Sequence, residues 1–456
     1  MVGAARRRQA GPVGRALLTD YYELNMAASY LRRSMDAPAT FSLFVRELPP
    51  ERGFLVAAGL ESCLEWLEDL AFDDEDLAYL HRLGFAAQDV SALGRLRFTG
   101  EVWAVPEGRI LFAEEPVLEV TAPIAEAQLA ETFLLNQITV QTTLASKAAR
   151  CRLVGGHVEL VEFGFRRTHG LDAAMAAARV AAMVGFAGTS NVEAARRFGL
   201  QPMGTMAHSY IEAFSTEAEA FEAFAADLPD RATFLVDTYD TLEGVRRAAE
   251  VVRRLGLEQR AGIRLDSGDM AALSRAARQI LDGSGLQEVR IFVSGGLDEY
   301  ELAALVASGA PVDAAGLGTR IGVSADAPYL DSVYKLVSYG EEPVLKLSPG
   351  KATLPGAKQV FRAAGLRDRI ALRHEPPPQG TVPLLEPVMA GGRRIAPASD
   401  QAAELVAARR RFEEDLAELP EQARALRHPQ APVAGRSAAL EQLTATVRSR
   451  HRSPPA

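Results

Sequence analysis

Two hydrophobic periodicities share the first third of the chain. Leu17 to Arg32, Val56 to Leu70 and Asp74 to Leu83 carry apolar residues at helical spacing, whereas Thr40 to Arg46 alternates apolar and polar positions as a half-buried strand does. Glu101–Val105, Arg109–Phe112 and Val117–Val120 read as short strands, with turns at Pro106-Glu107-Gly108 and Glu115-Pro116. This mixture predicts an N-terminal α+β domain over residues 16–135.

From 136 to 338 apolar runs of strand length alternate with Ala-rich segments of helical length. His157–Phe163 precedes a helix from Asp172 to Met183, Val184–Gly188 a short helix from Val192, and Pro202–Ala207 a helix over Glu217–Ala226. Thr233–Val236 precedes Leu242–Leu255, Gly262–Leu265 precedes Met270–Leu281, Arg290–Val293 precedes Asp298–Ala307, and Val312–Gly316 closes the series. Uninterrupted apolar strands, each followed by a helix, belong to a parallel sheet covered on both faces. Seven such units predict an irregular TIM-like α/β barrel; an open doubly wound sheet is the alternative, since periodicity does not report closure.

Beyond 338 come short strands (Val344–Leu347, Gln359–Arg362, Ile370–Leu372), a link at Glu375-Pro376-Pro377-Pro378 and two helices between about 400 and 426. We expect residues 339–430 to form a C-terminal extension packing on the N-terminal domain. Residues 1–15, with Arg6, Arg7, Arg8 and Arg15 but no apolar core, read as a disordered basic tail, and 431–456 as a flexible one.

Composition narrows the function. A chain of 456 residues exceeds what one core fills, so more than one domain is required. With 50 Lys+Arg against 59 Asp+Glu the net charge is -9, which argues against nucleic acid as a partner. No run of about 18 uncharged apolar residues exists, so no membrane span is expected. Cys63 and Cys151 lie in separate regions and read as buried reduced thiols of a cytoplasmic protein.

In parallel barrels, chemistry collects where strands end. Those positions here carry Glu162, Phe163, Arg166, Arg167 and His169; Thr189-Ser190-Asn191; Gly204-Thr205-Met206-Ala207-His208-Ser209; Asp237; Asp266-Ser267-Gly268-Asp269; Ser294-Gly295-Gly296; and Gly316-Leu317-Gly318-Thr319-Arg320. Ser294-Gly295-Gly296, before a helix at Asp298, and Gly318-Thr319, late in the barrel, read as phosphate cradles built from backbone N–H groups. Tight βα turns would equally call for these glycines when each is taken alone. Asp266 can hold ribose hydroxyls or a phosphate-bound Mg2+, whereas Asp269 reads as a helix cap. His208, beside Thr205 and Ser209 and opposite the proposed cradles, is placed to accept a phosphoryl group, because neutral imidazole attacks phosphorus directly. Without those neighbours it would read as a hydrogen-bonded structural histidine. Arg166 and Arg167 supply fixed cations for an anionic substrate. No Walker loop and no zinc-spaced Cys/His set is present, and Val236-Asp237-Thr238-Tyr239-Asp240-Thr241 lacks the acidic pair and glycine of a type I phosphoribosyl-diphosphate loop.

Taken together, these motifs resemble the nicotinate phosphoribosyltransferase family. The resemblance runs from Leu18-Thr19-Asp20-Tyr21-Tyr22-Glu23-Leu24 to about Arg362. Glu162-Phe163-Gly164-Phe165-Arg166-Arg167, the Gly204–Ser209 run and Arg264-Leu265-Asp266-Ser267-Gly268-Asp269 are its most specific parts. It implies ATP-coupled transfer of a phosphoribosyl group from phosphoribosyl diphosphate to nicotinate, with Mg2+ and with His208 as a phosphohistidine. By resemblance the pyridine ring stacks between Phe163 and Tyr22 of the partner subunit in a homodimer with shared sites. Arg264 and Ser209 then lie near the ring and its carboxylate, and Asp266 on the ribose hydroxyls. Arg167 faces the diphosphate, while Gly295, Gly296, Gly318 and Thr319 hold the 5-phosphate. Metal ligands are not assigned. Alternatives are a different pyridine base, nicotinamide or quinolinate, or a barrel that binds phosphorylated ligands without catalysis; the intact Ala207-His208-Ser209 favours the acid.

Overall fold

A computed structural model describes residues 15–348, 351–396 and 400–450. Nearly all of the expected basic tail, Pro349-Gly350, residues 397–399 and the last six residues lie outside the described residues.

A seven-stranded antiparallel sheet forms one layer, in the order Glu342–Pro343, Ser332–Tyr339, Pro38–Val45, Pro116–Pro123, Glu101–Ala104, Glu386–Ala390, Arg393–Arg394. The helices Tyr21–Arg32, Leu60–Glu68, Asp74–Arg82 and Ala87–Arg95 complete this part of the molecule. Its core gathers Leu43, Trp66, Leu118, Val120 and Leu134, all essentially inaccessible to water. Ser332–Tyr339, expected within the barrel region, instead pairs with Pro38–Val45. It returns the chain from the barrel to the first layer.

The second layer is a parallel sheet in the order Gly188–Thr189, Glu159–Glu162, Ala314–Leu317, Arg290–Val293, Gly262–Leu265, Thr233–Leu235. A parallel bridge from Thr189 to Pro202 adds the seventh segment at the edge. Its strands are buried and separated by helices, which is the irregular barrel read from the sequence. Among the described residues no backbone–backbone hydrogen bond joins Thr205 and Met206 to the 233–265 side; the Arg264 side chain reaches the Thr205 hydroxyl and the Met206 carbonyl instead, so the wall is irregular there.

The helix Glu131–Val154 spans the proposed boundary at 135/136. Leu134 and Ile138 belong to the first core, whereas Leu144, Ala145, Ala148 and Cys151 belong to the barrel core. One helix therefore joins two cores, and it buries Gln141, Thr142, Ser146, Lys147 and Arg150 where it passes between them.

The C-terminal extension divides. Glu386–Ala390 pairs with Glu101–Ala104 of the first sheet, but helix Gln401–Glu418 places Leu405, Ala408 and Phe412 in the barrel core. That corrects the expectation that all of it packs on the N-terminal domain. Residues 438–450, expected to be flexible, form the helix Ala438–Arg450 with Leu440 and Val447 buried. Cys63 and Cys151 are buried free thiols, their pKa values pushed up by burial. Among the described residues no helix is long and apolar enough to cross a membrane.

Candidate active site

Arg264, third residue of the strand Gly262–Leu265, knots four strand ends together. Its Nε donates to Ser294 Oγ at 2.8 Å, Nη1 to Thr205 Oγ1 at 3.1 Å and the Met206 carbonyl at 3.3 Å, and Nη2 to Asp266 Oδ1 at 2.6 Å. The guanidinium stands 5.8 Å from the ring centre of Phe163, which packs on Phe292 at 5.5 Å. A planar cation over an aromatic face forms a shelf for a flat ligand that carries negative charge. Beneath it a cavity of about 150 Å³ opens into the barrel between Phe163, Met203, Thr205 and Ala314. A larger hollow of about 500 Å³, lined by Glu65, Gln141 and Arg197, touches none of these groups.

Asp266 lies at the centre. Burial raises its pKa, but the Ser294 hydroxyl, Arg264 and the nearby His208 outweigh burial and hold the carboxyl below its ordinary value. It is an ionised carboxylate. Asp237, at the end of the neighbouring strand, accepts the Asp266 N–H at 3.0 Å and the Ser267 hydroxyl at 2.6 Å, while its Oδ1 is buried without a hydrogen-bond partner. Asp269 caps the helix Met270–Gly283 through the Ala272 N–H.

His208 begins the short helix His208–Glu212. Its Nδ1 is 3.1 Å from Thr238 Oγ1, which leaves Nε2 outside that bond. Ser209 follows, exposed. Asp237 marked a strand end in the sequence but had no role assigned, and Thr238 stood only in the rejected Val236–Thr241 run. Neither residue type nor spacing signalled the contact to His208.

Both glycine turns sit on the same rim. Gly295 has φ +96°, and a Cβ there would lie 1.9 Å from the Asp266 carbonyl oxygen, so the turn fits against Asp266 only as glycine. Gly296 follows at φ +74°. A Cβ on Gly318 would lie 2.8 Å from the Phe163 carbonyl oxygen, which fixes the second turn against the first strand end. The helix start at Asp298 differs from expectation: the Asp298 side chain accepts the Tyr300 and Glu301 N–H groups, and Glu299 and Glu301 make the first turn acidic. The N–H groups of Gly295 and Gly296 make no backbone hydrogen bond among the described residues, so the turn rather than the helix end is open to an anion. Thr319 opens the short helix Thr319–Gly322.

Other expected residues stand apart. Arg166 and Arg167 are exposed on the turn after Phe163 and bond to no carboxylate among the described residues. Tyr22, on helix Tyr21–Arg32, is 47% exposed, and no ring contact joins it to Phe163 within the chain. Partial burial, then Glu131 and Glu23, raise its phenol pKa.

Residues 17–139 match the model of the nicotinate phosphoribosyltransferase N-terminal domain, and residues 158–312 the nicotinate phosphoribosyltransferase family model. A nicotinate phosphoribosyltransferase of Mycobacterium tuberculosis is 49% identical over 397 residues, covering 85% of each chain. That of Bacillus subtilis is 44% identical over 357 residues, covering 76% of this chain and 73% of its own. The crystal structure of human nicotinic acid phosphoribosyltransferase superposes with a TM-score of 0.83 at 28% identity, over 94% of this chain and 99% of that one.

Proposed function

The chain belongs to the nicotinate phosphoribosyltransferase family, and we propose that it transfers the 5-phosphoribosyl group of phosphoribosyl diphosphate to nicotinate, in NAD salvage, with ATP hydrolysis coupled through His208. The observation that carries this reading is the single knot of Arg264, Phe163, Thr205, Asp266 and Ser294.

In this reading the pyridine ring lies on Phe163 with Arg264 and Ser209 toward its carboxylate, and the second face is covered by Tyr22 of the partner subunit in a homodimer. The exposure of Tyr22 in the single chain agrees with that. The ring nitrogen attacks C1 of the ribose; the bond from C1 to the diphosphate oxygen breaks, and its electron pair leaves with the diphosphate. Positive charge gathers on C1 and negative charge on the leaving group. Ionised Asp266 holds the ribose hydroxyls on the side where positive charge grows, and Arg166 and Arg167 face the diphosphate. Gly295, Gly296, Gly318 and Thr319 hold the 5-phosphate.

Among the described residues no group of three or more His, Cys, Asp and Glu could hold a metal alone. The site fits a Mg2+ that arrives with the diphosphate, held by the unpartnered Asp237 Oδ1 and by Asp266. Bound there, the ion would neutralise charge on the departing diphosphate. Nε2 of His208 attacks the γ-phosphorus of ATP while Thr238 holds Nδ1, and the bond from that phosphorus to the bridging oxygen breaks with its electron pair leaving on ADP; water then attacks the phosphohistidine, the P–N bond breaks, and orthophosphate leaves. Buried free thiols agree with a cytoplasmic enzyme.

Incubation with γ-labelled ATP tests the coupling. The protein takes up acid-labile label, and His208→Ala does not. Label that persists in His208→Ala removes the phosphohistidine step.

A further inference from the structure

Behind the two glycine turns lies a buried charge cluster that the transfer chemistry does not use. Lys147, 1% exposed in the middle of helix Glu131–Val154, reaches Glu299 Oε2 at 2.5 Å and Asp326 Oδ1 at 2.8 Å. Glu299 opens the helix that follows Ser294-Gly295-Gly296, and Asp326 lies on the segment that follows Gly318-Thr319. Each carboxylate has a second cation: Arg150 Nε meets Glu299 Oε1 at 2.9 Å, and Arg52 Nε meets Asp326 Oδ2 at 3.1 Å. Arg52 Nη2 also donates to Ser324 Oγ at 2.9 Å. On the outer side Arg320, next to Thr319, bonds Asp298 Oδ2 at 2.7 Å and Glu301 Oε1 at 2.8 Å. The two turns come from the neighbouring strands Arg290–Val293 and Ala314–Leu317, which pair at Phe292 with Ala314 and Val293 with Ala315 below a bond from the Asp313 N–H to the Ile291 carbonyl; the ladder stops there, so beyond it the turns themselves are held by side chains.

We infer that Lys147 inside and Arg320 outside are positioning residues that tie the two turns into one cradle of fixed width, matched to the 5-phosphate. The inference rests on the transfer reading above. Buried ion pairs contribute little net stability compared with apolar replacements, and their best-attested use is to specify geometry. A buried lysine bridging two loops from different strands serves that use. A phosphate gripped from both turns loses affinity when their spacing loosens, whereas the flat base on Phe163 does not touch the tie.

The test compares steady-state constants for phosphoribosyl diphosphate and nicotinate in the full chain. Lys147→Met alone leaves two buried carboxylates short of a cation and is expected to fold poorly, so it is paired with Glu299→Gln, which keeps the net charge of the cluster unchanged. For Lys147→Met/Glu299→Gln, the KM for phosphoribosyl diphosphate rises about tenfold while that for nicotinate stays within about twofold. Lys147→Arg recovers most of the loss. Arg320→Ala, at a partly exposed site, raises the same KM about threefold and carries the test if the buried pair does not fold. A merely structural role lowers the active fraction, and so kcat, with both KM values unchanged; that result overturns the inference. Wild-type turnover with unchanged variant KM values sinks the tie alone. Absence of wild-type turnover with any pyridine base sinks the transfer reading as well.

Discussion

Arg264 donates through Nη2 to Oδ1 of Asp266 across 2.6 Å, and this bond, with the Ser294 hydroxyl, keeps the carboxylate ionised against its burial. Because the folded pKa is depressed, the stability this group adds is present above its unfolded value and lost as pH falls through the folded one. The kcat/KM profile therefore shows no acid limb from Asp266 above about pH 4. Asp266→Asn lowers kcat/KM about a hundredfold without unfolding the chain, measured by initial rates beside circular dichroism.

The contact between Thr238 and His208 orients the imidazole. Thr238→Val frees the ring and is expected to lower ATP stimulation about tenfold. His208→Ala abolishes the stimulation while basal transfer stays within about threefold. Equal loss of both in His208→Ala would mean that the residue shapes the base pocket instead.

Gly295 has no room for a side chain. Gly295→Ala sets a Cβ against the Asp266 carbonyl in a left-handed backbone, and is expected to cost about 1–3 kcal/mol of stability and to raise the KM for phosphoribosyl diphosphate. Urea unfolding and steady-state kinetics check the two effects. An unchanged KM in the folded variant would take the turn out of the site.

Burial pushes the carboxyl of Glu23, next to Tyr22 in the chain, up to about 7, against the Thr132 and Thr19 hydroxyls that bond it. A carboxyl whose folded pKa is raised adds stability at low pH, and that stability is lost as pH rises through the folded value. Glu23→Gln is expected to raise the thermal midpoint at pH 8 by about 2–4 °C and to flatten its fall between about pH 5 and pH 7. A midpoint lowered at pH 8 would show that the ionised form is the one the fold accommodates.

What the sequence disclosed depended on how each residue is buried. Barrel strands such as Ile291–Val293 are apolar throughout and end in polar or glycine clusters, so both the strands and their rim were legible. Helix Glu131–Val154 was not, because it runs between two cores and is buried with Gln141, Thr142 and Lys147 rather than showing one apolar stripe. The Asp237–Asp266 and Thr238–His208 contacts pair residues about thirty positions apart, and no local pattern encodes such a meeting. Ala438–Arg450 is ordered by Leu440 and Leu443 packing on the first core, with Val447 buried, which its Arg- and Ser-rich ending concealed.

The most direct measurement is diphosphate release from phosphoribosyl diphosphate with nicotinate, nicotinamide and quinolinate in competition, with and without ATP. Nicotinate alone is expected to be consumed at an appreciable rate, and ATP to accelerate its consumption. Preference for either other base, or no diphosphate released with any of them, would contradict it.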